Sequence, residues 1–265
     1  MLTIPLAIAI LGTTPLGLRL LLGTQGRWLR LYRVAAPCAL ISLALGVGPL
    51  AAALAGVWLA FTIFPLVAWP PTQGNWCRRA ATFYLPVGGV WLVFFRAGVR
   101  PLDYPTVIVG LTSVHFHYIG FAGQVLTAMI SQGRPRLTAV ARTVAVAPAL
   151  VGLGIVGNRL LEVSAAACLI AALMVIGLAA LHQSLAWRGV ARAALVLSSL
   201  SVLVSMPLAG FYAWGRWTNR YSVTIETMLW SHGGLNCLGF CLAGLVAWNL
   251  QARHVRLNPG IPTSL

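Results

Sequence analysis

The chain has 265 residues, 59% of them hydrophobic and 8% charged, with a mean hydropathy of +0.88. A soluble domain carries about 25% charged residues, so an ordinary hydrated surface is excluded. The net charge of +15 comes from 18 basic residues, all of them arginine. They sit in short linkers between apolar runs, where arginine sets membrane topology and meets anionic headgroups, so nucleic acid is excluded as a partner.

Apolar runs such as Val163–Leu181 and Ala193–Ala213 are continuous. A transmembrane barrel would alternate polar and apolar residues, so the spans are helices. The pattern predicts an all-α, polytopic transmembrane bundle of about nine spans, at 2–22, 34–47, 50–70, 80–98, 105–130, 139–157, 161–182, 193–214 and 224–250. The count falls to eight if the first span, which holds Pro5, Pro15 and Arg19, is broken. Gly46–Val47–Gly48–Pro49 is a turn signal that folds the second and third spans into a tight hairpin. Pro86, Pro148 and Pro207 fall inside spans and are expected to kink them. The linkers are short, so residues 1–250 form a single transmembrane domain, with 251–265 a disordered cytoplasmic tail. The N-terminus lacks the basic region and cleavage pattern of a secretory signal, so its first apolar stretch is expected to remain. No repeat dividing the chain into related halves is evident.

Nine spans place thirteen arginines on the side that receives the C-terminus and five on the other, namely Arg96, Arg100, Arg159, Arg216 and Arg220. The positive-inside rule then puts the N-terminus outside and the C-terminus in the cytoplasm of a prokaryotic plasma membrane. The five cysteines read as small packing residues. Cys237 and Cys241 are four apart, but no second pair completes a metal site.

Ionisable residues within spans are costly and mark function. The acids are Asp103, Glu162 and Glu226, all assigned to the outer face. His182 and His254 fall at cytoplasmic ends, which leaves three intramembrane histidines. The fifth span holds Ser113–Val114–His115–Phe116–His117–Tyr118. At 100° per residue the two histidines point about 200° apart, so they cannot share one ion. His115 shares a face with Thr112 and Tyr118, and His117 with Ser113 and Gln124. A helix polar on two sides belongs at the centre of a bundle. In the ninth span His232 and Asn236 share a face, Glu226 lies nearly two turns outward, and Gly233 and Gly234 permit close approach. His115 and His232 lie at similar depth, so a pocket is expected where His115 or His117 meets His232, with Glu226 near its entrance.

The segments Ser113–Val114–His115–Phe116–His117–Tyr118–Ile119–Gly120–Phe121 and Leu229–Trp230–Ser231–His232–Gly233–Gly234–Leu235–Asn236 resemble the signature stretches of the YndJ-like membrane proteins. That family has a small residue where this chain has Ile119. The resemblance implies one shared histidine-containing site in a multi-pass fold, in a family often labelled as transporters.

The residues favour a membrane-embedded enzyme that cyclises, isomerises or hydrates a lipophilic small molecule by acid–base chemistry. His115, His117, His232, Glu226 and Tyr118 are its candidate catalytic groups. Trp230, Asn236, Gln124, Asp103 and Glu162 are candidates for holding substrate. Tyr212, Trp214, Trp217, Tyr221 and Trp230 would shape an apolar pocket, although an interfacial aromatic belt accounts for many of them. No cofactor is expected; the partners are the bilayer and the substrate. A carrier is the alternative, and a metal or haem protein ligated through His115 or His117 and His232 is a third.

Overall fold

The computed structural model describes residues 2–23, 26–68, 76–220 and 223–257. Among these residues there are nine long helices and no strand. They are α1 (Thr3–Leu22), α2 (Arg27–Ala44), α3 (Pro49–Ala68), α4 (Trp76–Ala97), α5 (Thr106–Ser131), α6 (Thr138–Gly157), α7 (Arg159–Ser184), α8 (Gly189–Thr218) and α9 (Ile225–His254). Eight are long and apolar enough to cross a membrane. The exception is α2 and not, as the sequence reading allowed, α1. The first turns of α2 carry Arg27, Arg30 and Arg33, whereas α1 runs unbroken through one π-helical turn at Ala9–Thr13. Helix continues to Leu257, into the stretch expected to be tail. Residues 258–265 and Tyr221 lie outside the described residues.

The chain divides into two compact units, Met1–Val125 and Leu126–Leu265, with the boundary inside α5. Within the first, α2 packs on α3, α3 on α4 and α4 on α5, while α1 lies against α2 and α5. Within the second, α6 packs on α7, α7 on α8 and α8 on α9. Short links impose this consecutive antiparallel order. The expected hairpin between α2 and α3 is present, with Pro49 opening α3, where its missing N–H costs nothing. Ser42 Oγ donates to Ala51 O at 2.6 Å across it. Buried Arg96, from the end of α4, donates to Leu45 O and so meets the orphan carbonyls at the C-terminus of α2. The turn between α6 and α7 is tighter still. Asn158 caps α7 by accepting from Leu161 N at 3.0 Å. A Cβ on Gly154 would lie 2.3 Å from Glu162 N, so only glycine fits there.

Helices α8 and α9 approach closely through small residues. A Cβ on Gly239 would fall 1.9 Å from Ser201 Oγ, and one on Gly244 would fall 2.6 Å from Ser198 Oγ. Ser198 Oγ donates to Phe240 O at 2.7 Å. Between apolar helices in lipid, such close backbone approach and interhelical hydrogen bonds supply the attraction that water would otherwise drive. Pro37, Pro65, Pro86, Pro148 and Pro207 all lie inside helices.

Candidate functional site

In the first unit the two histidines of α5 take opposite faces, as the helical spacing requires. His115 is exposed, and its Nδ1 donates to its own helix at Leu111 O, 2.9 Å away. His117 is fully buried. Its Nε2 accepts from the Trp58 indole Nε1–H at 3.0 Å. An indole N–H can only donate, so the ring proton resides on Nδ1, which donates to Ser113 O at 2.8 Å. Ser113 Oγ in turn donates to Gly88 O at 2.9 Å. The Trp58 ring lies nearly parallel to the imidazole, with centroids 6.1 Å apart and planes inclined by 22°. A second ring proton on His117 would point straight at the indole N–H. Gly88 leaves room for the ring, since a Cβ there would sit 2.8 Å from Nδ1. Both nitrogens of His117 are therefore occupied by the protein itself.

Immediately beyond His117, α5 widens into a π-helical turn at Tyr118–Ala122. Such turns insert one residue and recur at functional sites. Gln124 is fully buried, and Tyr118 Oη donates to Pro5 O of α1 at 2.8 Å. From Gly120 to Ile130 α5 is buried, but His115 is exposed, so protein does not enclose both polar sides of the Thr112–Tyr118 stretch as the sequence led one to expect.

The second unit holds the counterpart. Helix α9 is π-helical at Leu229–Gly233 and again at Leu235–Ala243. His232 is half-buried, and its Nδ1 lies 2.9 Å from Ser205 O on α8, so Nδ1 carries the proton and donates. Nε2 is then the acceptor nitrogen. Asn236 Nδ2 donates to His232 O at 2.7 Å and lies against the imidazole, 3.3 Å from Nδ1 and 3.4 Å from Nε2. Asn236 Oδ1 accepts from Ser205 Oγ at 3.2 Å. The pairing of His232 with Asn236 follows from their spacing. Ser205 and Trp58 escape a reading of the sequence, because each meets its histidine across helices and no local motif marks it.

The remaining candidates lie further out. Glu226 is exposed in the first turn of α9, capped by Thr224, less than two turns from His232. Glu162 is half-buried in the first turn of α7 and forms part of the α6–α7 turn. Helices α7 and α9 run parallel, so both acids mark the same end of the second unit. At that end Arg159 stacks on Trp217 at 5.8 Å and donates to Asn219 Oδ1 at 3.2 Å. Trp214, Trp217 and Trp230 are exposed there, as residues of an interfacial belt are. Asp103 is exposed in the α4–α5 linker, where its carbonyl accepts from Arg100. Among the described residues no three of His, Cys, Asp and Glu converge as a metal site would require. The structure thus brings together His117, Ser113, Gly88 and Trp58 in one unit, and His232, Asn236 and Ser205 in the other.

These features define a multi-pass α-helical membrane protein with polar histidine sites inside its spans. The family model described as YndJ-like protein matches residues 4–240, and the chain belongs to that family. It is 27% identical over 237 residues to the uncharacterized membrane protein YndJ of Bacillus subtilis (strain 168). That alignment covers 83% of this chain and 42% of the relative, so the chain spans about two fifths of the relative's length. No solved structure matches.

Proposed function

We propose that the protein acts on a lipophilic small molecule at His232, by acid–base chemistry within the membrane. The observation that carries this reading is the state of the three intramembrane histidines. His117 is sealed by Trp58 and His115 faces outward from its helix, while His232 is half-buried and oriented by Ser205 and Asn236. With Nδ1–H fixed on a carbonyl, Nε2 is the base, and the imidazolium formed there can return the proton elsewhere on the same molecule. Cyclisation and isomerisation need only such proton movements, and hydration needs in addition a water molecule whose oxygen bonds to carbon as its proton is taken up. Glu226 stands near the entrance, and Asn236 offers an amide to a substrate oxygen. His115, His117 and Tyr118 then have supporting places in the fold. The arginine bias supports a cytoplasmic C-terminus.

A carrier is the second reading, and the construction from two units of like packing favours it, since many carriers are built from repeats. One experiment addresses both. Protein reconstituted in liposomes is given a lipophilic cell extract, with and without a proton gradient, and is compared with H232Q. New isomers or hydrates formed only by the unsubstituted protein support the enzyme. Unaltered compounds taken up along the gradient support the carrier. Identical behaviour of H232Q in both measurements removes His232 from either role.

A further inference from the structure

At one end of the first unit two arginines are held in different ways. Arg100 is exposed, and it spends Nε on Tyr104 O at 3.1 Å and Nη2 on Asp103 O at 3.1 Å. Arg96, one turn earlier at the end of α4, keeps only 6% of its surface exposed, and among the described residues no other arginine or acid is buried. Its guanidinium makes one hydrogen bond among those residues, from Nη2 to Leu45 O, and Nε is buried with no acceptor. The Phe95 ring lies 5.6 Å from its central carbon. A guanidinium carries five N–H groups, so one carbonyl leaves most of them unspent. Asp103 is the one acid in residues 1–125, and it is exposed and meets Arg100 through its main-chain carbonyl. No carboxylate offsets the charge of Arg96.

An arginine cannot shed its proton to escape burial, and a buried charge without a counter-charge is costly. The C-terminal ends of α2 and α4 offset part of that cost with their partial negative charges, yet Nε still has no acceptor. The turn beside Arg96 has the same surplus of donors. Gly48 N donates to Arg96 O at 3.0 Å, which docks the end of α4 against the turn that precedes α3. Leu45, Gly46, Val47 and Leu50 are exposed there. The amides of Gly46, Val47 and Leu50 have no backbone acceptor among the described residues. Leu50 stands in the first turn of α3, a helix of 20 residues whose dipole puts partial positive charge at that turn. A helix opening and a buried cation thus both lack acceptors at one place.

We infer that Arg96 and the turn opening α3 form a binding site for an oxyanion of the phosphate class. The planar guanidinium fork pairs with two oxygens at once, and its orientation is set by Leu45 O. Amides at a helix start bind phosphate through their N–H groups and the dipole together. Trp76–Ala97 is long and apolar enough to cross a membrane, and Arg96 is its next-to-last residue, at the depth of lipid headgroups. Two sources of phosphate reach that depth, the phosphodiester of a phospholipid and the free ion. The site belongs to the first unit and stands apart from the reading of His232.

The test uses the full chain in dodecyl maltoside, a detergent without phosphate. It is titrated with dioctanoylphosphatidylglycerol, with inorganic phosphate, and with dioctanoylglycerol, which has the same tails and no phosphate. The phospholipid is expected to bind saturably by calorimetry and to raise the melting temperature by about 5 °C at a hundredfold excess over its dissociation constant. Dioctanoylglycerol should do neither. If inorganic phosphate acts as the phospholipid does, the site takes the free ion; if only the phospholipid acts, it takes a headgroup. No effect from either phosphate-bearing probe, or an equal effect from dioctanoylglycerol, overturns the proposal. In R96Q binding should weaken at least about tenfold, the scale of a charge-assisted hydrogen bond, while R100Q binds as the unsubstituted chain does. Full binding by R96Q, or equal weakening in R100Q, overturns the proposal, because any arginine at this end would then serve. Should R96Q not fold, R96K keeps the charge and loses the fork. It should bind at least about fivefold more weakly, and undiminished binding overturns the proposal.

Discussion

His117 and His232 share a residue type, a π-helical neighbourhood and a ring proton directed at a carbonyl, yet they differ in what meets Nε2. In α5 the protein supplies the partner from Trp58 and buries the whole assembly. In α9 the ring is half-buried beside Asn236. The contrast is between a histidine held at both nitrogens by fixed neighbours and one whose ring is only half-buried. A polar residue with every hydrogen bond made by fixed neighbours is a fastener, whatever its chemistry promises.

The largest expected effect is on turnover or flux. H232Q should lower either by about 10²- to 10⁴-fold, the range typical of removing a general acid–base group, while the melting temperature in detergent moves little. The reverse is expected of H117A. Removing that imidazole strands the Trp58 N–H and opens a cavity, a loss of about 3 kcal/mol or more read from thermal or denaturant unfolding. If H117A melts normally and H232Q unfolds, the comparison is inverted. A double-mutant cycle with H117A and W58F sharpens it further. The pair should couple by about 1–2 kcal/mol, because they share one hydrogen bond and one ring contact, and additivity within experimental error would mean the bond contributes nothing.

How much of this is legible in the sequence depends on the range of the interaction. Hydropathy and arginine placement define the helical membrane class, because lipid leaves the backbone few options. The opposite faces of His115 and His117 follow from helical pitch, and they hold because Thr106–His117 is regular α-helix. His232 and Asn236 are neighbours in sequence spacing and in space. The pitch argument ends at Tyr118, where the π turn begins and a regular 100° per residue no longer applies. Nothing local foretells that Trp58, 59 residues from His117, will supply its donor. The shortness of the second apolar run, 34–47, and the arginines before it do separate α2 from a full span. Local period is readable; the partner across a helix interface is not, because it depends on which small residue lets two backbones approach.

That last dependence gives the smallest and cleanest contrast, between two glycines of α9. A Cβ on Gly239 would land 1.9 Å from Ser201 Oγ and 2.4 Å from Ser201 Cβ, so the α8–α9 interface must part to admit it. G239A should therefore cost about 2–3 kcal/mol, as overpacking of a close contact does, and should show as an early thermal transition. Gly234 has helical φ and ψ of −59° and −47°, and a Cβ there would meet nothing within 4 Å. G234A should be neutral or stabilising by up to about 1 kcal/mol, since alanine loses less backbone freedom on becoming helical. Glycine at 239 would then serve helix packing, and glycine at 234 would serve something other than stability. A destabilised G234A would mean that the face of α9 carrying Gly234, which lies opposite His232, is covered.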